Sequence, residues 1–218
     1  MNTLSYDVTD KLRIYKLFID GQWVKSSDGF TADSINPATG DIFARTYLAS
    51  HEDALLAINS AHLAAKRWGE SLASERELLL LKVHQQVEER SDEICNLLID
   101  ESGSVVNKAR QEVSYVLDLL RSAIGDVRHA VGETYPVTKN GQMSMSIRRP
   151  LGVIAGISPF NSPFVLSMKK LVLAIAAGNT FILKPSEETP VLGILIAELF
   201  ERAGCPPGVL NVIPATPD

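Results

Sequence analysis

The sequence predicts an α/β protein: a mostly helical first half, then a βαβαβ run that forms part of a parallel sheet. Three observations predict it. Between Ser74 and His129 apolar residues recur at three- and four-residue spacing, the period of helices with one buried face. After Leu151 short apolar runs alternate with helical ones, and that alternation yields parallel strands joined by right-handed crossovers. The 218 residues are 45% hydrophobic and 22% charged, ordinary globular usage that leaves little room for disorder.

Taken in order, Leu17–Val24 carries an Asp20-Gly21 turn between apolar flanks, which predicts a small surface hairpin. A further turn follows at Asn36–Gly40. Ser50, three before Asp53, signals a helix start close to a capping box, with Ala54, Ile58, Ala61 and Ala65 on its period and an end near Trp68-Gly69. Leu78, Leu81, Val83, Val87, Ile94, Leu97 and Leu98 continue the pattern, with Ser91 expected to cap a second segment and Gly103 to stop it. Val105–His129 repeats the helical period through Val113, Val116, Leu117, Leu120, Ile124 and Val127. Beyond Gly132 the period becomes two, and Met143, Met145 and Ile147 share one face of a strand. From pattern alone, that face packs either on this chain's own helices or on a partner.

The βαβαβ run reads as strand Leu151–Ile157, helix Val165–Ala177, strand Thr180–Leu183, helix Pro190–Ala203 and strand Val209–Ile213. Thr189-Pro190 has the wording of a cap followed by a first-turn proline, and Gly204 stands where a left-handed stop belongs. Only three strands precede Pro214–Asp218, fewer than a doubly wound sheet usually has, so a truncated protein or a part that needs a partner is expected.

Composition excludes several functions. Twenty-one basic against 26 acidic residues give a net charge of −5, and the adjacent basic pairs Lys66-Arg67, Arg148-Arg149 and Lys169-Lys170 make no stripe, so no nucleic-acid partner is expected. No apolar run nears the roughly 18 residues of a membrane span, and Met1–Lys16 lacks a leader's apolar core. The expectation is a soluble, cytoplasmic protein with no membrane association. Cys95, Cys205 and the four histidines show no metal-ligand spacing, and no metal is expected.

Ligands of open parallel sheets bind beyond the carboxyl ends of the strands. Two loops lie there, Ser158–Pro163 and Lys184–Glu188. By themselves the first reads as turn chemistry, and Lys184 and Glu187 as solvated loop charges. Neither a G-x-G-x-x-G nor a Walker phosphate loop occurs.

The runs RRPLGVIAGISPFNSPF, AIAAGNTFILKPSEETP and ERAGCPPGVLNVIP, in this order and spacing, resemble the cofactor domain of the NAD(P)-dependent aldehyde dehydrogenase superfamily. FIDGQW, INPATG and ERSDEICNLLIDESG extend the resemblance upstream, so it covers nearly all of the chain after about Leu17. It implies a partial Rossmann-like dinucleotide-binding domain. Residues 1–132 would be its hairpin and helical part, 133–149 an oligomerisation arm strand, and 150–218 its βαβαβ part, with the catalytic domain outside this chain.

The resemblance also implies roles. Asn161 matches the asparagine whose amide donates to the oxyanion formed when a thiolate attacks the aldehyde. Ile157, Ser158, Pro159 and Phe160 match the segment beside the cofactor, where the family often has Trp in place of Phe160. In the second loop, where Ser186 is also expected to bind cofactor, Lys184 and Glu187 match the pair that reaches the adenosine ribose hydroxyls. A carboxylate there accepts both hydroxyls and repels a 2′-phosphate, which favours NAD while leaving NADP open.

The family's nucleophilic cysteine and general-base glutamate have no counterpart here. Cys95 reads as a small buried hydrophobe, and Cys205 as a turn position. The implied activity is oxidation of an aldehyde to a carboxylic acid through a cysteine thiohemiacetal and thioester, with the isolated chain inactive. ISPFNSP is similar to bacterial dehydrogenases of aromatic aldehydes, and Met143–Ile147 to the arm that pairs subunits as dimers or tetramers. The alternatives are a non-catalytic NAD-binding or assembly module and a NADP-linked or acyl-CoA-forming relative.

Overall fold

The structure is a computed structural model that describes residues 4–9 and 11–216. Residues 1–3, 10 and 217–218, at or near the ends of the segments expected from sequence, lie outside the described residues. Six strands come first: β1 (Tyr6–Thr9), β2 (Leu12–Tyr15), β3 (Leu17–Ile19), β4 (Gln22–Val24), β5 (Thr31–Ile35) and β6 (Ile42–Tyr47). Four helices follow, α1 (His51–Gly69), α2 (Ala73–Glu89), α3 (Ser91–Ser102) and α4 (Val106–Asp126), the last running into a 3-10 turn at Val127–His129. Then come β7 (Thr134–Tyr135), β8 (Ser144–Met145), β9 (Val153–Ile157), α5 (Pro163–Ala176), β10 (Thr180–Lys184), α6 (Pro190–Arg202) and β11 (Leu210–Val212).

The central sheet has the order β4-β3-β11-β10-β9, with β9, β10 and β11 parallel and β3 antiparallel to β11. Alternation along β10 sorts its side chains between two layers. Phe181 and Leu183 enter the large core shared with α2–α6, while Ile182 joins Leu17, Ile19, Ala57, Ala61 and Ile213 beneath α1. Both crossover helices therefore pack on one face and α1 on the other. Each strand is added on the same side of its predecessor, which with a fixed crossover hand puts both helices on one face.

The hairpin differs from its expectation. Its turn holds: Asp20 and Gly21 both take positive φ, 52° and 72°, as a two-residue primed turn requires. It is no surface feature, because Leu17, Phe18 and Ile19 are all buried and β3 extends the main sheet past β11. A strand apolar on consecutive positions fits only where both faces are covered.

The first half also holds more strand than expected. A second sheet of order β1-β2-β6-β5 stands beside the helices. The helical stripes shift too: Ala57, Ala61, Ala64 and Trp68 are buried on α1 while Ile58 is half exposed, and Leu79 and Leu80 are buried on α2 while Leu78 and Leu81 face out. Four consecutive leucines leave the phase of a helix open, and packing decides it. Ser91 begins α3 but caps nothing; Arg90 precedes it, held by Glu93 and Glu198. Gly103 ends α3 in the left-handed conformation, as expected.

Ser50 and Asp53 form a complete capping box. Asp53 is buried, and beyond the box its carboxylate accepts from the Ser26 hydroxyl and the Ser27 N–H, tying the start of α1 to the segment after β4. Asp53→Ala is expected to lower unfolding stability by about 2 kcal/mol, at the upper end for a lost cap, because it also strips the Ser26 and Ser27 donors. Urea unfolding checks this.

The strand expected as an arm is short. Only Ser144 and Met145 pair regularly, with β7, and Met143, Met145 and Ile147 are 79%, 51% and 66% exposed. No helix of this chain covers them among the described residues, so the reading in which they pack on its own helices fails. Gly132 is needed where the segments of β7 and β8 meet, since a Cβ there would overlap the Ser146 carbonyl.

Candidate functional site at the carboxyl edge of the parallel sheet

Parallel pairing sets Ile157 opposite Lys184, so β9 and β10 end level and release their loops at the same edge. The loops are joined there: the Ser158 N–H donates to the Lys184 carbonyl at 3.0 Å. β9 is the outer strand, which leaves Ile157 70% exposed, and Pro159, Phe160 and Asn161 continue exposed into α5. Ser158 turns inward and is buried, with its Oγ unpartnered.

On the second loop, Lys184 Nζ stands 3.3 Å from Glu187 Oε2, with Lys184 mostly covered and Glu187 open to solvent. The Glu187 carboxyl is held below the usual carboxylate range, first by its own backbone N–H and then by Lys184. Ser186 is buried and accepts from the Glu188 N–H at 3.3 Å, which shapes the turn. Thr189 Oγ1, just before α6, is buried without a partner. The edge thus presents an exposed amide, a cation beside a carboxylate, and two buried hydroxyls with unused hydrogen-bonding capacity. Such a set suits a ligand rich in hydroxyls.

Neither thiol is activated. Burial pushes the Cys205 thiol up to about 12, and burial also raises Cys95, so both stay protonated at neutral pH. Among the described residues no group of three or more His, Cys, Asp or Glu could hold a metal ion. No helix there is long and apolar enough to cross a membrane.

Two buried carboxylates next to this edge escaped the sequence reading. Glu101 on α3 receives the Val191 and Leu192 N–H groups at 2.8 Å each, and Glu112 on α4 receives the Val165 N–H at 3.2 Å. Their positions carry a signal: Glu101 lies three after Leu98 and Glu112 three after Ala109, both on the buried stripe of a helix. A cleft of about 890 Å³ lies elsewhere, between the second sheet, α3 and α6, where Arg90 is already paired with Glu93 and Glu198.

Three parallel strands, two crossover helices on one face and paired loops at the carboxyl edge define part of a Rossmann-like α/β domain. Residues 23–218 match the aldehyde dehydrogenase family, and the chain belongs to that family. It is 38% identical over 202 residues to a malonate-semialdehyde dehydrogenase of Bacillus pumilus (strain SAFR-032), covering 93% of this chain and 42% of that protein. A salicylaldehyde dehydrogenase from Pseudomonas putida G7, solved with salicylaldehyde, superimposes with a TM-score of 0.90 at 33% identity over 93% of this chain and 42% of its own. PnpE, solved in complex with nicotinamide adenine dinucleotide, does so with a TM-score of 0.89 at 35% identity over 92% and 41%. The chain thus spans a little over two fifths of the length of the relatives it matches, corresponding to their N-terminal part.

Proposed function

We propose that this chain is the cofactor-side part of an NAD-dependent aldehyde dehydrogenase, contributing the oxyanion donor and the adenosine half of the cofactor site. The observation that carries the reading is the Ser158-to-Lys184 bond between the loops, which holds both sets of matched residues at one strand edge. The residues present fit the cofactor. Lys184 and Glu187 would meet the two ribose hydroxyls, the ammonium as donor and the carboxylate as acceptor, with Ser186 shaping the turn between them. Ile157 to Phe160 would line the cofactor's flank, the Phe160 ring offering an apolar surface.

When bound at this edge, NAD would supply the acceptor for the hydride lost once a thiolate has added to the aldehyde carbon. Asn161 would donate its amide N–H to the aldehyde oxygen as that oxygen gains charge, and being neutral would hold it without trapping a proton. The attacking thiolate comes from outside this chain, since Cys95 and Cys205 are held protonated. The same protonated thiols favour, for the isolated chain, the second reading of a non-catalytic NAD-binding module. An assay separates the two: aldehyde-dependent NADH formation by the purified 218 residues would overturn the assignment of the nucleophile.

Calorimetric titration with NAD tests the site. Glu187→Ala is expected to weaken NAD binding by roughly 10-fold or more, the loss of a hydrogen bond to a charged group, and to narrow the preference for NAD over NADP. Unchanged affinity for both would remove Glu187 from the site. For substrate we infer an aldehyde, with an aromatic one supported by ISPFNSP and by the likeness to a salicylaldehyde dehydrogenase. Two free cysteines fit a reducing, cytoplasmic setting.

The exposed Met143, Met145 and Ile147 support an arm that pairs with a second copy, because apolar ribbons standing clear of a core need cover. Light scattering should find dimers or larger species, and replacing all three with Ser should yield the monomer. A monomer with the arm intact would defeat the assignment.

A further inference from the structure

Both helices that follow the ligand loops begin without a cap of their own. Pro163 and Pro190 occupy their first turns, and neither Ser162 nor Thr189 makes a side-chain cap bond. Free N–H groups at a helix start need an acceptor. Here that acceptor comes from another layer in each case. Glu101 accepts Val191 N–H through Oε1 and Leu192 N–H through Oε2, and also the Ser34 hydroxyl of β5 at 2.8 Å. Glu112 accepts Val165 N–H through Oε2, while Lys108 from the same helix neutralises Oε1. The two carboxylates are 4% and 5% exposed, and their backbone partners lie 90, 91 and 53 residues away in sequence.

The same device thus occurs twice, once behind each loop. Buried carboxylates are costly unless their acceptors are filled, and the donors that fill these belong to the two helix starts that set where the loops end. Val191 lies three residues after Glu188, and Val165 three after Ser162, so a shift of either helix start carries its loop with it. We propose that Glu101 and Glu112 are positioning residues that fix the Lys184–Glu188 and Ser158–Ser162 loops through the first turns of α6 and α5. The reading of those loops as the cofactor edge underlies the functional part of this proposal.

The test compares the 218-residue chain with Glu101→Gln and Glu112→Gln by amide hydrogen exchange, with NAD titration alongside. Glutamine has one acceptor oxygen, so at Glu101 one helix N–H must face an NH₂ group and go unmet. Glu101→Gln should speed exchange across 186–192 by about 10-fold, the loss of one charge-assisted bond, and leave 158–166 unchanged. Glu112→Gln should do the converse. NAD affinity should fall in each, and Glu101→Asp should restore part of the protection. Lys184→Ala should lower NAD affinity without altering exchange, and if it leaves affinity unchanged the cofactor reading fails while exchange still reads positioning. Should Glu101→Gln fail to fold, Ser34→Ala loosens Glu101 from β5 alone and should again speed exchange at 186–192. Protection unchanged in the folded variants, or lost evenly over the whole chain, overturns the proposal.

Discussion

Gly156→Val is expected to lower unfolding stability by about 3 kcal/mol or more, at or beyond the upper end of core overpacking, and to disorder the Ser158–Pro163 loop with it. Gly156 is buried in β9, where a Cβ would stand 2.7 Å from Phe181 Cε1 and closer still to Cζ. The Phe181 ring is 1% exposed and packed into the core shared with α5 and α6, so it has no free volume to turn into. Relief must come from β9, which is an outer strand and can move. Ser158 follows two residues later, and its bond to the Lys184 carbonyl would stretch. Urea unfolding gives the stability change, and NAD titration should show weaker binding even where the chain stays folded.

A double-mutant cycle sharpens the point. Phe181→Leu alone empties part of the core and destabilises, but combined with Gly156→Val it should recover about 1 kcal/mol or more relative to the sum of the single changes, as contacting residues do. Strict additivity would mean that the ring does not press on β9.

The second large effect is in the pH dependence of stability. Burial pushes the Glu101 carboxyl up to about 7, outweighing the Leu192, Ser34 and Val191 donors that pull it down. The folded chain therefore holds this proton more tightly than the unfolded chain, whose carboxyl titrates near 4.5. Between those values folding takes up a proton, and stability from this group falls as pH rises, in total on the order of 3 kcal/mol, levelling above the folded value. Around Glu101 stand the Ser34 hydroxyl of β5, the α6 N–H groups and the Tyr15 phenol of β2, with no ion-pair partner among the described residues. Asp7, Asp53, Glu93 and Glu187 have lowered values and act in the opposite sense, adding stability above their unfolded pKa and losing it as pH falls. The difference between wild type and Glu101→Gln isolates the one group. Measured by urea unfolding, wild type should gain on the variant as pH drops from 8 to 5. A difference independent of pH would show that the three donors keep Glu101 ionised throughout.

The βαβαβ run was readable because its punctuation is local. Pro190 opens α6, Gly204 takes a positive φ after it, and Phe181, Ile182 and Leu183 of β10 are consecutive apolar residues buried on both faces. The strands β1, β2, β5 and β6 gave no such mark. Tyr6–Thr9 and Leu12–Tyr15 are short and half exposed, and β2 finds its parallel partner β6 across some thirty residues, a pairing no local window contains. The two loops were readable as an edge, but spacing alone leaves them as turns, and the roles proposed for Asn161, Lys184 and Glu187 rest on the resemblance. Glu101 and Glu112 were passed over because a glutamate in a helix is ordinarily solvated. Only the packing of α3 against α6 and α4 against α5 turns them inward.

The strand order also sets a timetable. Among the described residues β3 pairs with β4 and β11 alone, and Asn211 Oδ1 receives the Asp20 N–H from 191 residues away. A ribosome adding ~5–20 residues per second needs roughly 10–40 seconds to travel that distance. Through that interval the Leu17–Val24 ribbon has emerged with α1 able to cover its Leu17 and Ile19 face, but with the edge that β11 pairs and the face that α6 covers still open. The nascent chain thus carries a sticky segment while residues 25–211 are made, and holdase chaperones that bind short apolar stretches should be found on this ribbon until Val212 arrives.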